Sequence, residues 1–175
     1  MHKYIVLLRG INISGQKIIK MADLRAVLGK EGLSNVQTYI QSGNVVFESD
    51  KSKSDLTSLI INTIEKRYGF IVPTFIITPK ELKKAISNNP YGNMEGNKLY
   101  LTFLSGKANS EGMESIQNKV QVNEFLQLIE NVMYFHCPDG VAKSKITNNL
   151  IEKKLEVKAT TRNWRTCGKL IELIK

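Results

Sequence analysis

The sequence lacks the features that mark several large classes of protein. Its longest apolar runs, residues 4–8 and 125–129 among them, are far shorter than the roughly 20 residues that a membrane-spanning helix needs. No small-residue cleavage site follows the first run, so we expect neither a signal peptide nor a membrane partner. Two cysteines, Cys137 and Cys167, form no disulfide framework. We therefore expect reduced thiols in a cytoplasmic protein.

Histidine is also scarce, which removes the usual catalytic and metal-binding patterns. His2 and His136 are the only two, and together with the two cysteines they show no zinc-finger spacing. Ser42 has no base in a recognisable triad, and His136 and its neighbour Cys137 should face opposite sides of a strand. Catalytic residues stay unassigned, and whether the chain is an enzyme stays open. We expect no metal and no cofactor.

Positive charge is in excess and is unevenly distributed. The chain has 25 Lys and Arg against 16 Asp and Glu, a net charge of +9, of which residues 143–175 contribute +6. Such a concentrated positive field favours anionic partners, namely nucleic acid, phosphorylated metabolites or an acidic protein. The alternative is a basic surface that binds no partner.

Hydrophobic periodicity and turn residues predict a mixed α+β chain. The predicted strands are residues 3–9, 35–40, 44–49, 70–77, 98–105, 124–130, 132–137 and 157–160. The predicted helices are residues 20–32, 54–69, 78–86, 110–120, 142–156 and 161–174. Each half therefore has the order β-α-β-β-α-β, which is the split βαβ or ferredoxin-like pattern.

This repeated order predicts the fold class and the domains. We expect an α+β protein of two ferredoxin-like subdomains joined by a short helix, with one further helix at the C-terminus. The N-terminal subdomain covers residues 1–78, and a connecting helix and loop cover residues 79–97. The C-terminal subdomain, with the terminal helix, covers residues 98–175.

The loop after the first strand has the glycine spacing of a phosphate-binding loop but not its other residues. Gly10 and Gly15 fit G-x-x-x-x-G, yet Gln16 stands where the Walker pattern requires Lys, and Lys17 where it requires Ser or Thr. The loop is therefore not a nucleoside triphosphatase loop. A weaker anion site is one hypothesis and a plain βα turn is the other. The anion site would use Arg9, Asn12, Ser14 and Lys17.

The last predicted helix has a basic stripe. At 100° per residue, Arg162, Arg165 and Lys169 fall within about 60° of one another. Thr160 or Thr161 could cap the start of this helix, and Trp164 lies on its apolar side. The stripe could contact phosphates, or it could be an ordinary solvated face.

Four motifs resemble the bacterial family called domain of unknown function 1697. They are residues 9–12 (RGIN), 20–24 (KMADL), 39–45 (YIQSGNV) and 159–164 (ATTRNW), with Cys167-Gly168 as one departure near the end. The resemblance implies a two-subdomain, ferredoxin-like α+β fold and no assigned reaction. Its motifs fall in the first loop, the hairpin turn and the last helix. If they converge, they form one polar, basic site lined by Arg9, Asn12, Gln41, Ser42, Asn44, Arg162, Asn163 and Arg165.

Three functions remain open. The leading hypothesis is a cytosolic protein, favoured as a monomer, that binds an anionic ligand, with nucleic acid or a nucleotide first. A second is an enzyme acting on a small phosphorylated or carboxylated substrate, with the arginines as clamps. A third is a structural or protein-binding role.

Overall fold

The computed structural model describes residues 1–92 and 98–175, which form eight strands and six helices. In chain order these are β1 (His2–Leu8), α1 (Met21–Lys30), β2 (Ser34–Tyr39), β3 (Asn44–Ser49), α2 (Lys53–Tyr68), β4 (Thr74–Ile77), α3 (Pro79–Ser87), β5 (Leu99–Leu104), α4 (Ser110–Gln117), β6 (Phe125–Ile129), β7 (Val132–His136), α5 (Asn148–Leu155), β8 (Ala159–Asn163) and α6 (Trp164–Leu173). None of these helices is long and apolar enough to cross a membrane.

The strands form two four-stranded antiparallel sheets with the same topology. The first sheet has the order β2-β3-β1-β4 and the second has the order β6-β7-β5-β8. In each sheet the first strand of its half lies inside and pairs with the third and fourth strands of that half. The predicted α+β class and the repeated β-α-β-β-α-β order are both observed.

The chain divides into two compact units. We call Met1–Lys83 together with Leu170–Lys175 the N-unit, and Lys84–Lys169 the C-unit. The predicted connecting segment contains α3, and its residues 93–97 lie outside the part of the chain that the structure describes. The predicted subdomain boundaries stay a prediction.

One core of the N-unit lies between its sheet and two helices. Alternate residues of β1, namely Tyr4, Val6 and Leu8, belong to the same apolar cluster as side chains spaced three or four residues apart on α1 and α2. α2 begins after Ser52, whose Oγ accepts a backbone hydrogen bond at 3.2 Å, and ends at Gly69 with a φ of 79°. Residues 4 to 8 are all buried, so neither face of this part of β1 is open to solvent.

The C-unit has a matching core between its sheet and α4 and α5. Met133 and Phe135 of β7 belong to one apolar cluster with Ile116 of α4 and Ile151 of α5. The two helices touch through their backbones, since a Cβ added at Gly112 would lie 1.9 Å from a backbone carbonyl oxygen of α5. A glycine is therefore required at this crossing.

Two predicted helices begin three or more residues later than expected. The last predicted helix begins only at Trp164, because Thr161, Arg162 and Asn163 belong to β8 and pair with β5. The helix predicted over residues 142–156 is α5, which starts at Asn148, so residues 143 and 145 lie in the preceding loop. The prediction that Arg162 lies on the last helix, in one basic stripe with Arg165 and Lys169, was therefore wrong.

Candidate functional site

The loop between β1 and α1 is tightly folded rather than extended. Gly10, Asn12, Gly15 and Lys17 all have positive φ values, between 46° and 75°. The Asn12 N–H donates to the Lys17 carbonyl at 3.2 Å, and the Gln16 N–H donates to a carbonyl inside the loop at 2.9 Å. Glycine suits two of these left-handed positions, and asparagine tolerates a third. The glycine spacing of the sequence therefore serves a backbone turn.

The side chain of Asn12 joins this loop to the hairpin turn between β2 and β3. Its Oδ1 accepts from the Ile19 N–H at 2.8 Å, and its Nδ2 donates to the Ile19 carbonyl at 3.0 Å and to the Gln41 carbonyl at 2.7 Å. The amide is thus committed to backbone groups at two places in the chain. Asn12 therefore positions the loop and the turn, and its role as a ligand contact stays a prediction.

The hairpin turn is pressed against the end of β1. The Leu8 N–H donates to the Gly43 carbonyl at 2.8 Å, and a Cβ at Gly43 would lie 2.6 Å from the Leu8 Cβ. Asn44 is fully buried, and its Nδ2 donates to the Tyr39 carbonyl at 3.0 Å and to the Ser42 Oγ at 2.9 Å. Asn44, a residue of the predicted turn motif, therefore stabilises the hairpin turn from its buried side.

Three predicted site residues of the N-unit are accessible to solvent at the first loop and the hairpin turn. Gln41 is exposed, while Arg9 and Ser42 are half-buried. Lys17 adds a cation there: its Nζ donates to the Ile71 carbonyl at 2.9 Å and lies 5.9 Å from the centre of the Phe70 ring. The structure thus brings the first loop and the hairpin turn together.

The three predicted residues of the C-unit are consecutive or nearly so, but their roles differ. Arg162 is only 7 % exposed, and its Nη1 donates to the Thr160 Oγ1 at 3.0 Å and to the Thr161 carbonyl at 2.9 Å. Burial lowers the pKa of Arg162 to about 10, which leaves it cationic at neutral pH. Arg162 therefore stabilises β8 through hydrogen bonds within that strand and does not project from a helix.

Asn163 and Arg165 mark the start of α6. The Asn163 Oδ1 accepts from the Thr166 N–H at 2.8 Å, so Asn163 caps the helix and the predicted caps at Thr160 and Thr161 were wrong. Arg165 is exposed. That all eight predicted residues line one site stays a prediction.

Neither cysteine is suited to nucleophilic chemistry. The Cys137 Sγ donates to the Glu124 Oε1 at 3.4 Å, and burial together with that carboxylate raises the pKa of Cys137 to about 11. Burial raises the pKa of Cys167 to about 12. Both thiols are therefore protonated at neutral pH. Within residues 1–92 and 98–175, no group of three or more His, Cys, Asp or Glu is placed to hold a metal ion.

Sequence reasoning missed a polar chain beneath β8. The Thr161 hydroxyl lies 2.7 Å from that of Thr102 and 2.6 Å from the Asn148 Oδ1. The Glu152 Oε1 accepts from the Ala159 N–H at 2.9 Å. Each contact joins residues from different elements, and no local pattern in the sequence links them.

Comparison with known proteins gives a family and a fold. A family model described as "Protein of unknown function (DUF1697)" matches residues 1–134. No curated protein matches the chain. The structure is similar to that of the conserved bacterial protein SP0830 from Streptococcus pneumoniae, with a TM-score of 0.79, 23 % sequence identity and coverage of 99 % of each chain. At that identity the likeness establishes the fold alone.

Proposed function

Because the chain belongs to the DUF1697 family, a family described as of unknown function, we propose from its own geometry that it binds an anionic ligand, with nucleic acid or a nucleotide first. The observation behind this proposal is an excess of exposed cations in the C-unit. Between residues 143 and 169 one carboxylate, Glu156, is exposed, whereas Glu152 is half-buried against β8. The exposed cations are Lys143, Lys145, Lys153, Lys158, Arg165 and Lys169.

The eight predicted site residues divide into two roles in this proposal. Four of them, namely Asn12, Asn44, Arg162 and Asn163, bond within the protein and hold the loop, the hairpin turn and the start of α6 in shape. The other four supply contacts to anions, each within its own unit: Arg9, Gln41 and Ser42 in the N-unit, and Arg165 in the C-unit. Guanidinium groups suit phosphate oxygens because they donate two parallel hydrogen bonds.

The aromatic residues of the inner strands argue for contacts to phosphate rather than to bases. Single-stranded RNA is commonly bound by aromatic rings exposed on a sheet. Here five of the six rings, those of Tyr4, Phe47, Phe103, Tyr134 and Phe135, are buried at 8 % exposure or less, and the sixth, Tyr100, is half-buried. Base stacking on the five buried rings is therefore excluded. We expect binding to depend on charge and to discriminate little between sequences.

Fluorescence anisotropy with labelled single- and double-stranded oligonucleotides tests the proposal. Affinity should fall steeply as salt rises. Arg165→Gln and Lys153→Gln should each weaken binding about two- to fivefold and reduce the magnitude of the salt slope by about 1. Lys51→Gln, a matched loss of one exposed cation in the N-unit, should change neither. Equal effects of all three variants, or no salt dependence, would contradict the proposal.

A thermal-shift screen of phosphorylated and carboxylated metabolites covers the enzymatic alternative. A specific rise in the unfolding temperature with one metabolite, unaffected by competing oligonucleotide, would favour a small-molecule site. Absence of any response in both assays would leave a structural or protein-binding role.

We also propose that both halves are ferredoxin-like subdomains, residues 1–78 and 98–175, in a cytoplasmic protein that is a monomer. The identical element order and the identical sheet order of the two units support the first point. The two free, buried cysteines support the second, since neither is engaged in a disulfide.

A further inference from the structure

The outer edges of the two sheets differ in how well they are protected. An unprotected edge strand presents unpaired N–H and C=O groups to which another chain can add. β2 is interrupted by a register shift between Ser34 and Gln37, with a φ of 52° at Asn35. β4 has four residues and follows Pro73. Both features are recognised ways of blunting an edge.

The edge formed by β8 is covered by its own side chains. The Ser105 N–H donates to the Lys158 carbonyl at 2.9 Å, so even-numbered residues of this strand bond to β5 and odd-numbered ones face outward. The outward Ala159 N–H is taken by Glu152, and the outward Thr161 carbonyl is taken by Arg162. Addition of a strand here would have to displace both side chains.

Within residues 1–92 and 98–175, no side chain bonds to the outward backbone groups of Leu126 and Leu128 at the edge formed by β6, and the Tyr91 ring lies against Phe125 at one end of that strand. The Asn131 carbonyl accepts from β5 at 2.9 Å and the Cys137 N–H donates to the Lys98 carbonyl at 2.8 Å, so odd-numbered residues of β7 bond to β5 and even-numbered ones to β6. Leu126 and Leu128 stand opposite odd-numbered residues of β7. Their own N–H and C=O groups therefore point away from the sheet.

A groove runs along this open edge. It has a volume of about 630 Å³ and lies between β6 and α4, where Leu126 and Leu128 face Met113, Glu114 and Gln117. This volume is within the range of sites that bind small ligands or short peptide segments. An added strand would lay alternate side chains into the groove while its backbone bonded to β6.

The charge of α4 identifies the chemistry of the occupant. Glu114 is exposed and is the one charged residue among the described residues that line the groove. The exposed Lys107 and Lys119 lie beyond the two ends of α4, outside that lining. A second copy of this chain, paired antiparallel through its own β6, would bring its Glu114 toward this one, and like charges repel. A partner with Lys or Arg opposite Glu114 is attracted.

We propose that β6 and α4 form a docking groove for an extended peptide segment of a partner protein, which adds as a further strand to the second sheet and alternates apolar with basic residues. None of the cations to which we assign ligand binding is among the described residues that line this groove. The interaction combines backbone hydrogen bonds at Leu126 and Leu128 with attraction to Glu114.

A short capped peptide alternating valine and lysine is the probe, and a peptide alternating valine and glutamate is its control. Titration of the full-length protein should slow amide hydrogen exchange at Leu126 and Leu128 and shift the NMR signals of α4. Leu128→Pro removes an N–H that β7 does not use, so the sheet should persist while affinity falls about five- to tenfold.

Charge reversal on α4 gives a second pair of variants, which tests the electrostatic attraction without changing the backbone of β6. Glu114→Lys should weaken the valine–lysine peptide about tenfold, whereas Glu111→Lys, on the same helix but outside the groove, should have about a twofold effect. Equal losses in the two variants, or protection of amides elsewhere, would overturn the proposal. Self-association that protects Leu126 and Leu128 without peptide would overturn it in favour of a homodimer.

Discussion

Asn12 shows how one side chain determines the shape of two motifs that lie far apart in the sequence. Its three hydrogen bonds reach the Ile19 backbone in its own loop and the Gln41 carbonyl in the hairpin turn. The sequence marked Asn12 as a site residue, but its role depends on a partner 29 positions away. Local patterns cannot supply that partner, so a ligand contact and a structural clamp were indistinguishable before the fold was available.

Asn12→Ala should destabilise the protein because it leaves the part-buried N–H and carbonyl of Ile19 without their side-chain partner. We expect the free energy of unfolding to fall by about 1–3 kcal/mol in urea titrations followed by far-UV circular dichroism. Gln41→Ala is the matched control, since only the main-chain carbonyl of Gln41 is bonded to Asn12, and its effect should stay within about 0.5 kcal/mol. Similar losses in both variants would contradict a clamping role.

Asp23 should make stability depend on acid pH. Arg67 and Tyr68 donate hydrogen bonds to Asp23, and these bonds hold the pKa of its carboxyl below the usual value. A lowered folded-state pKa gives stability that is present above the unfolded-state pKa of about 3.9 and is lost as pH falls through the folded-state value.

Asp23→Asn tests this linkage. The difference in urea midpoint between the wild type and this variant should be clear at neutral pH and should shrink as the pH falls below about 4. Glu31→Gln removes an exposed carboxylate just beyond α1 and should change the midpoint little at either pH. A difference that stays constant with pH would show that the charge of Asp23 is not involved.

At the scale of elements, strand and helix types were predictable, whereas the starts of α5 and α6 were not. The hairpin of β2 and β3 and the apolar spacing of α2 follow from nearest neighbours in the sequence. Residues 161–163 could be either the first turn of a helix or the end of a strand. Their pairing with Tyr100, Leu101 and Thr102 decides for the strand, and that partner is about 60 residues away.

The crossing of α4 and α5 gives a prediction about two glycines in helices. Gly112→Ala should lower the free energy of unfolding by about 1–3 kcal/mol, because the new Cβ would strike the Lys154 carbonyl. Gly168→Ala in α6 meets no atom within 4 Å and should raise stability by about 0.5–1 kcal/mol through helix propensity. Both are measured by thermal unfolding. A neutral Gly112→Ala variant would mean that the helices can separate without cost.

At the scale of the whole molecule, the two ends of the chain belong to one compact unit. The Lys3 Nζ donates to the Ile174 and Lys175 carbonyls, each at 3.2 Å, and Leu170 and Ile174 are buried. The sequence shows that this C-terminal stretch is basic. Local sequence patterns do not show that its last turn belongs to the N-unit. The final residues are therefore part of the fold and should not behave as a frayed terminus.

Ile174→Ala should accordingly cost as much as a core substitution. We expect the free energy of unfolding to fall by about 2–5 kcal/mol, because a buried side chain is lost and its space is incompletely refilled. Ile171→Ala, three residues earlier and only half-buried, is the matched control and should cost clearly less. Urea unfolding followed by circular dichroism measures both. If both variants changed stability by less than about 0.5 kcal/mol, the last turn would be frayed in solution. The hydrogen bonds from Lys3 to the last two carbonyls would then not hold the C-terminus in place.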